Sequence, residues 1–418
     1  MEENILAKEK ALNPTVVKLG IVSFFADVAS EMLYPVTPIF LTTVLGASMA
    51  SLGLIEGISE AIASLLKTYS GSWSDSLAKR KPFILMGYLL GAISKPFIGL
   101  SQNWIHVLGA RALDRTGKGI RSAPRDALIA DSVEPAKRGA AFGWHRGMDT
   151  MGAAIGPLLT VVLLSVNSEN LRSIYFWALL PGLISVLVIF SIREPKHEVK
   201  KRPWENPFKS WKRFDLPFRK YIFAWALFSL TNSSDVFLLM KAKASGLSTQ
   251  TVILLFFAYN LTYSLSSPYL GHLSDRIDRK KIMVGGLMTF FIVYLGFGFA
   301  SAAWQFWALF LVYGLYMGAT EGVGKALAVD LSPPQLKATG IGILGTVTGI
   351  CTIFASVSAG IIWDQFGSSF TFIFGAAGAL ASSFLIFWSS KLTGNKLSKI
   401  ETGEGARLFE SVLNKSPG

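Results

Sequence analysis

Twelve times along its 418 residues this chain passes through an apolar stretch long enough to cross a lipid bilayer. A helix needs roughly 20 mostly apolar residues to span the hydrocarbon core. The expected spans, numbered 1 to 12, are residues 16–43, 50–70, 82–101, 104–124, 138–165, 173–192, 221–241, 250–270, 281–302, 304–330, 338–362 and 369–390. Backbone polar groups find no partners in lipid, and the runs are too long for barrel strands, so each span is expected as a helix. Composition agrees, because only 16% of residues are charged, against about 25% in a soluble domain.

The spans fall into two related sets. Gly71-Ser72-Trp73-Ser74-Asp75, followed by Lys79-Arg80-Lys81, has a counterpart 200 residues on. That counterpart is Gly271-His272-Leu273-Ser274-Asp275-Arg276, followed by Arg279-Lys280-Lys281. Ala127-Leu128-Ile129-Ala130-Asp131 at the end of span 4 parallels Ala326-Leu327-Ala328-Val329-Asp330 at the end of span 10. Asp235 in span 7 falls within about a turn of the place of Glu31 in span 1. A repeat half a chain apart implies a duplicated bundle. The expected fold is an all-α membrane protein of twelve transmembrane helices, arranged as two pseudo-symmetric six-helix bundles. Residues 1–192 form the first bundle, 193–220 a basic linker, 221–391 the second bundle and 392–418 a polar tail.

The net charge of +13 does not point to nucleic acid, because of where the cations lie. The linker, the 2–3 turn and the 8–9 turn are rich in Lys and Arg, whereas loops 44–50 and 301–305 carry no charge. Such asymmetry places the basic side, with both termini, in the cytoplasm. The linker interleaves Trp204, Phe208, Trp211 and Phe214 with its cations, a pattern expected to lie on the membrane surface. No signal peptide is expected at the charged start. The single cysteine, Cys351, excludes an internal disulfide. His106, His145, His197 and His272 show no metal-ligand spacing. No nucleotide-binding loop or hydrolase motif is present, so neither an enzyme nor a resident cofactor is expected.

The repeated Gly-x-x-x-Asp turn, the six-plus-six spans and the long linker resemble the major facilitator superfamily over about residues 15–392. Pro35-Val36-Thr37-Pro38 in span 1, Arg115-x-x-x-Gly119 in span 4 and Gly152-Ala153-Ala154-Ile155-Gly156-Pro157 in span 5 are similar to motifs of its bacterial proton-coupled drug and metabolite antiporters. The first turn departs from the pattern, with Ser76 where arginine is usual, and Thr160-Val161 replaces the glycine pair expected after Pro157. The resemblance implies a working monomer in the bacterial inner membrane that moves a small molecule with protons as coupling ion. It also implies gating by Gly71, Asp75, Arg80, Gly271, Asp275 and Arg276. Helix packing falls to Pro35, Pro38, Gly152, Gly156 and Pro157.

An ionisable residue inside a span usually faces a cavity or a partner. Asp27 and Glu31 are four residues apart and share a helical face in span 1, so they are expected to titrate as a unit and exchange a proton. Arg111, Arg115, Lys118, Arg121 and Arg125 line one face of span 4. Arg115 is expected to tune the span 1 carboxylates or to bind an anionic substrate. Arg121 and Arg125 are expected in the inner headgroup region. Arg111, Asn232, Asp235, Asn260, Tyr263, Glu321 and Lys325 complete the expected substrate cavity, Glu321 and Lys325 as an i,i+4 pair. His145 and Asp149 share a face at the start of span 5. Three functions stay open: proton-driven efflux of a small organic compound, carriage of an anionic metabolite or siderophore-like acid, and a non-transporting membrane sensor.

Overall fold

The computed structural model describes residues 13–77, 79–134, 138–166, 170–194, 211–333 and 336–401. These residues form helices and connecting turns, with no strand among them. Most of the linker and the end of the tail lie outside this set, as do the side chains of Asp75 and Asp275.

Nine spans are single helices. They are Met49–Leu77 (span 2), Lys81–Gly99 (3), Trp104–Asp131 (4), Arg138–Val166 (5), Thr249–Arg276 (8), Arg279–Phe299 (9), Ala303–Asp330 (10), Lys337–Phe366 (11) and Ser368–Glu401 (12). Span 6 joins Leu171–Trp177 to Leu179–Phe190. The last helix runs past the expected boundary at 391 to Glu401.

Spans 1 and 7 are the exceptions, and they occupy corresponding places in the two halves. Span 1 is a helix over Pro14–Glu31, a turn over 32–35, a short helix Val36–Ile39 and a wide turn Phe40–Val44. Pro35 supplies no N–H and Pro38 follows within a turn, so the regular ladder lapses there. The sequence predicts one helix over 16–43; instead Glu31 closes the first segment. Span 7 is Leu216–Ser229, an irregular stretch, then Val236–Ala244. Its first helix begins five residues ahead of the expected 221, inside the expected linker. Arg219 and Lys220 read as linker cations, yet they sit in the first turn, where the Arg219 guanidinium lies 5.9 Å over the Trp211 ring and donates to Lys212 O at 2.9 Å.

Packing inside the two halves matches pair for pair. Spans 2 and 4 pack as 8 and 10 do, 3 and 4 as 9 and 10, 3 and 6 as 9 and 12, and 1 and 6 as 7 and 12. Between halves, span 2 lies along span 11 and span 5 along span 8, again a symmetric pair. Small residues bring these backbones together, as helices in lipid require. A Cβ on Gly53 would stand 2.0 Å from Ser356 O, and one on Gly360 would stand 2.3 Å from Met49 O. The Asp364 carboxylate of span 11 accepts from Met49 N at 3.1 Å and Ala50 N at 2.8 Å, so the second half caps a helix of the first. This seal lies at the end of the charge-free 44–50 loop.

Candidate functional site

The cationic face of span 4 is almost fully engaged. Arg111 is buried and donates to the equally buried Glu56 of span 2. Asp114 stands between Lys95 Nζ at 3.7 Å and Arg115 Nε at 3.5 Å. Arg125 donates to Asp126 through Nε and Nη2 at 3.0 and 2.9 Å. Arg121 was expected among headgroups, but it is 8% exposed and its guanidinium lies 4.1 Å over the Tyr88 ring of span 3. The aromatic face replaces water as its partner. Lys118 differs from the rest: it is exposed, and the acids whose fields reach it are Glu60 and Asp27.

Glu31 ends the first segment of span 1 facing this wall, and the charges acting on it are those of Lys118, Arg115, Arg111 and Lys95. Asp27 has different company. Its field comes more from Asp149 of span 5 than from Glu31, and Ser23, one turn before Asp27, donates to the Asp149 carboxylate. The expected Asp27–Glu31 pair is thus opened towards two partners: cations for Glu31, a carboxyl for Asp27. The seam between spans 1 and 5 explains how Asp149 comes so near. A Cβ on Gly152 would be 2.5 Å from Phe24 O, and one on Gly156 would be 2.8 Å from Val28 O.

The second half presents acids held by tyrosines. Asp235 opens the later helix of span 7 and accepts from Tyr259 at 3.0 Å and Tyr313 at 2.6 Å. Tyr263 donates to Glu321, and Lys325 donates to the other Glu321 oxygen at 3.1 Å. Arg146 of span 5 donates to the Tyr263 hydroxyl at 3.2 Å and lies 3.8 Å from Asp149. A polar chain therefore runs from span 5 through span 8 to span 10. Ser234, beside Asp235, donates to Glu56 at 3.4 Å and makes a further link between halves.

Asn260 is set apart from the other expected cavity residues, since its amide donates to Phe256 O of its own helix at 2.9 Å. Asn232 lies in the irregular part of span 7, its carbonyl oxygen buried and without a hydrogen-bond partner. Glu60, Lys67, Lys118 and Lys325 are exposed on spans 2, 4 and 10, and Lys67 feels the charges of Lys118 and Lys325. The space between these spans is therefore a cleft open to solvent. Sequence reasoning passed over Tyr259 and Tyr313, whose aromatic character gave no sign that they would hold a carboxylate.

At the opposite end from Asp364 the repeated turns make matching contacts. Arg80 Nε lies 3.7 Å from Asp131 Oδ2, and its Nη1 donates to Ser74 at 2.6 Å. Arg279 pairs with Asp330. Arg279, rather than the exposed Arg276, therefore stands in the place of Arg80. Gly71 packs against Ala123 of span 4, whereas a Cβ on Gly271 would meet nothing.

Two six-helix halves facing each other across a charged cleft, with a half-buried carboxylate at each broken span, define a membrane transport protein. Residues 19–248 and 235–416 match the family model of the Major Facilitator Superfamily, and the chain belongs to that superfamily. It is 32% identical over 389 residues to an uncharacterised MFS-type transporter of Methanocaldococcus jannaschii, covering 91% of this chain and 96% of that protein. The multidrug resistance protein MdtG of Enterobacter lignolyticus is 26% identical over 365 residues, 83% of this chain and 86% of that one. Among solved structures, the nucleoside transporter NupG superposes with a TM-score of 0.76 at 13% identity, covering 90% of this chain and 99% of that one. A bacterial homologue of the lysosomal transporter Spinster, inward-facing and unoccupied, gives 0.76 at 15% identity, with 91% and 98% covered. At such identity these two likenesses bear on the fold alone.

Proposed function

We propose that this protein is a secondary active transporter that expels a small organic compound in exchange for protons. One observation carries the reading. Glu31 sits at the break in span 1, faces the cations of span 4 and is reached from the cleft side by the exposed Lys118. A carboxylate there is neutralised either by a proton or by neighbouring cations, and a shift between the two alters the contacts between spans 1 and 4. Breaks near mid-membrane are where transporters of this architecture bind substrate and ion. The likeness to MdtG supports efflux of drug-like compounds. In this reading Glu31 and Asp27 carry protons and Arg115 adjusts Glu31. Asp235, Glu321, Tyr263, Asn232 and Lys325 shape the opposite wall, and the Arg80 and Arg279 contacts hold the basic face closed in one state. The protein works as a monomer in the cytoplasmic membrane of a bacterium, with both termini inside.

Lys118 favours a second reading, since an exposed ammonium in a cleft suits an anionic substrate. Proteoliposomes loaded with a pH dye and challenged with pools of cationic drugs and organic acids separate the two. A drug-triggered pH change that Glu31→Gln abolishes supports proton-driven efflux. Flux of organic acids that survives Glu31→Gln but collapses in Lys118→Ala and Arg115→Ala selects the anion carrier.

A further inference from the structure

Asp149 is a half-buried acid that the reading above does not use. It lies on span 5, one turn before Gly152, where spans 1 and 5 touch backbone to backbone. Its carboxyl accepts a hydrogen bond from Ser23, one turn before Asp27 on span 1, and a Cβ on Gly152 would stand 3.1 Å from Asp27 Cβ, so the seam brings the two acids to adjoining turns of touching helices. His145 Nδ1 stands 3.9 Å away on its own helix and Arg146 3.8 Å. From span 4, Arg125 acts on Asp149, and Arg121 and Lys118 act on Asp27; Glu31 is the remaining acid within reach of Asp27.

Two carboxylates held that close in a low-dielectric seam cannot both ionise cheaply. Carboxyls that share a site in this way hold one proton between them and titrate as a pair. The glycine seam fixes their separation, since neither helix backbone can recede without opening the 1–5 interface. We propose that Asp27 and Asp149 form one proton-binding site across the seam of spans 1 and 5, separate from Glu31. The proposal rests on the proton-coupled reading and gives it a second site for the coupling ion. Arg146 gives the site an outlet. It contacts Asp149 and Tyr263, so loss of the proton strengthens its hold on Asp149 and draws on the Tyr263–Glu321 contact in the other half.

Infrared difference spectra of the full-length protein in lipid bilayers, recorded as pH is stepped, report protonated carboxyls directly. Asp27→Asn and Asp149→Asn each remove the same carboxyl component, the double variant removes no more than either one, and Glu31→Gln leaves that component in place. Ser23→Ala keeps both acids and shifts the component's frequency, which guards against a variant that fails to fold. Additive losses in the double variant, or a component that persists in Asp149→Asn or stays unmoved in Ser23→Ala, overturn the shared site. The dye-loaded proteoliposomes report separately on transport. A shared component in protein that moves no proton with any probe compound sinks the efflux reading and leaves the site standing. Proton-linked flux with wild-type pH dependence in Asp149→Asn sinks the site and leaves the reading.

Discussion

Glu56 and Arg111 illustrate what a charge demands inside a bundle. Each is buried, and the pair links span 2 to span 4 while Glu56 also receives Ser234 from the other half. Breaking such a pair from one side leaves an uncompensated ion and costs about 3–5 kcal/mol. Glu56→Gln is therefore expected to lower the thermal unfolding midpoint in detergent well below that of wild type. Lys325→Gln removes a partner from a pair whose side chains are 54% and 41% exposed, where such pairs contribute about 0–1 kcal/mol, so its midpoint is expected to stay near wild type. Equal losses in the two variants contradict this account. Both members of the buried pair were legible as charged residues within spans. Their partnership was not, because it depends on which faces of spans 2 and 4 meet.

Among elements, span 5 is the one most constrained by its neighbour. A methyl group on Gly156 would stand 2.8 Å from Val28 O, 2.9 Å from Met32 N and 3.0 Å from Glu31 Cβ. Gly156→Ala is expected to destabilise by about 1–3 kcal/mol, because the obstruction is backbone and cannot swing away. At Gly285 of span 9 a methyl group would meet nothing, so Gly285→Ala is expected to be neutral or stabilising by up to about 1 kcal/mol through helix propensity. Thermal unfolding of the two variants side by side checks the contrast. The glycines of span 5 were readable as a motif, and Pro35 marked the break in span 1. The matching break in span 7 carries no proline, and only packing against spans 11 and 12 reveals it.

For the whole molecule, the two halves meet most closely where span 2 runs beside span 11, and Asp364 closes that contact at two backbone amides. A carboxylate accepting from a helix N-terminus gains from both hydrogen bonds and the helix dipole, about 1.5–3 kcal/mol for each charge-assisted bond. Opening this end has to break both. Asp364→Ala is expected to move the population towards the state open at this end by about tenfold or more. Spin labels at the ends of spans 2 and 11 would show a longer distance gaining weight. Cys351 is the only native cysteine to replace beforehand. An unchanged distance distribution would place the seal elsewhere, in the glycine contacts alone.

The sequence by itself determined the twelve spans, the duplication and the residues too polar to lie in lipid without a reason, since each follows from hydropathy, period and the cost of an unpaired group. It also made the repeated Asp131 and Asp330 visible, and with them half of each contact to Arg80 and Arg279. Only the tertiary structure decided who partners whom. Asp27 and Glu31 share a helical face in any reading of span 1, yet one meets Asp149 and the other the cations of span 4. Asp235 is held by two tyrosines from different spans, and Arg121 rests on an aromatic ring instead of reaching water. Periodicity specifies the face of one helix. The field at a side chain depends on the rotation and depth of its neighbours, which glycines tens or hundreds of residues away determine through how closely backbones approach.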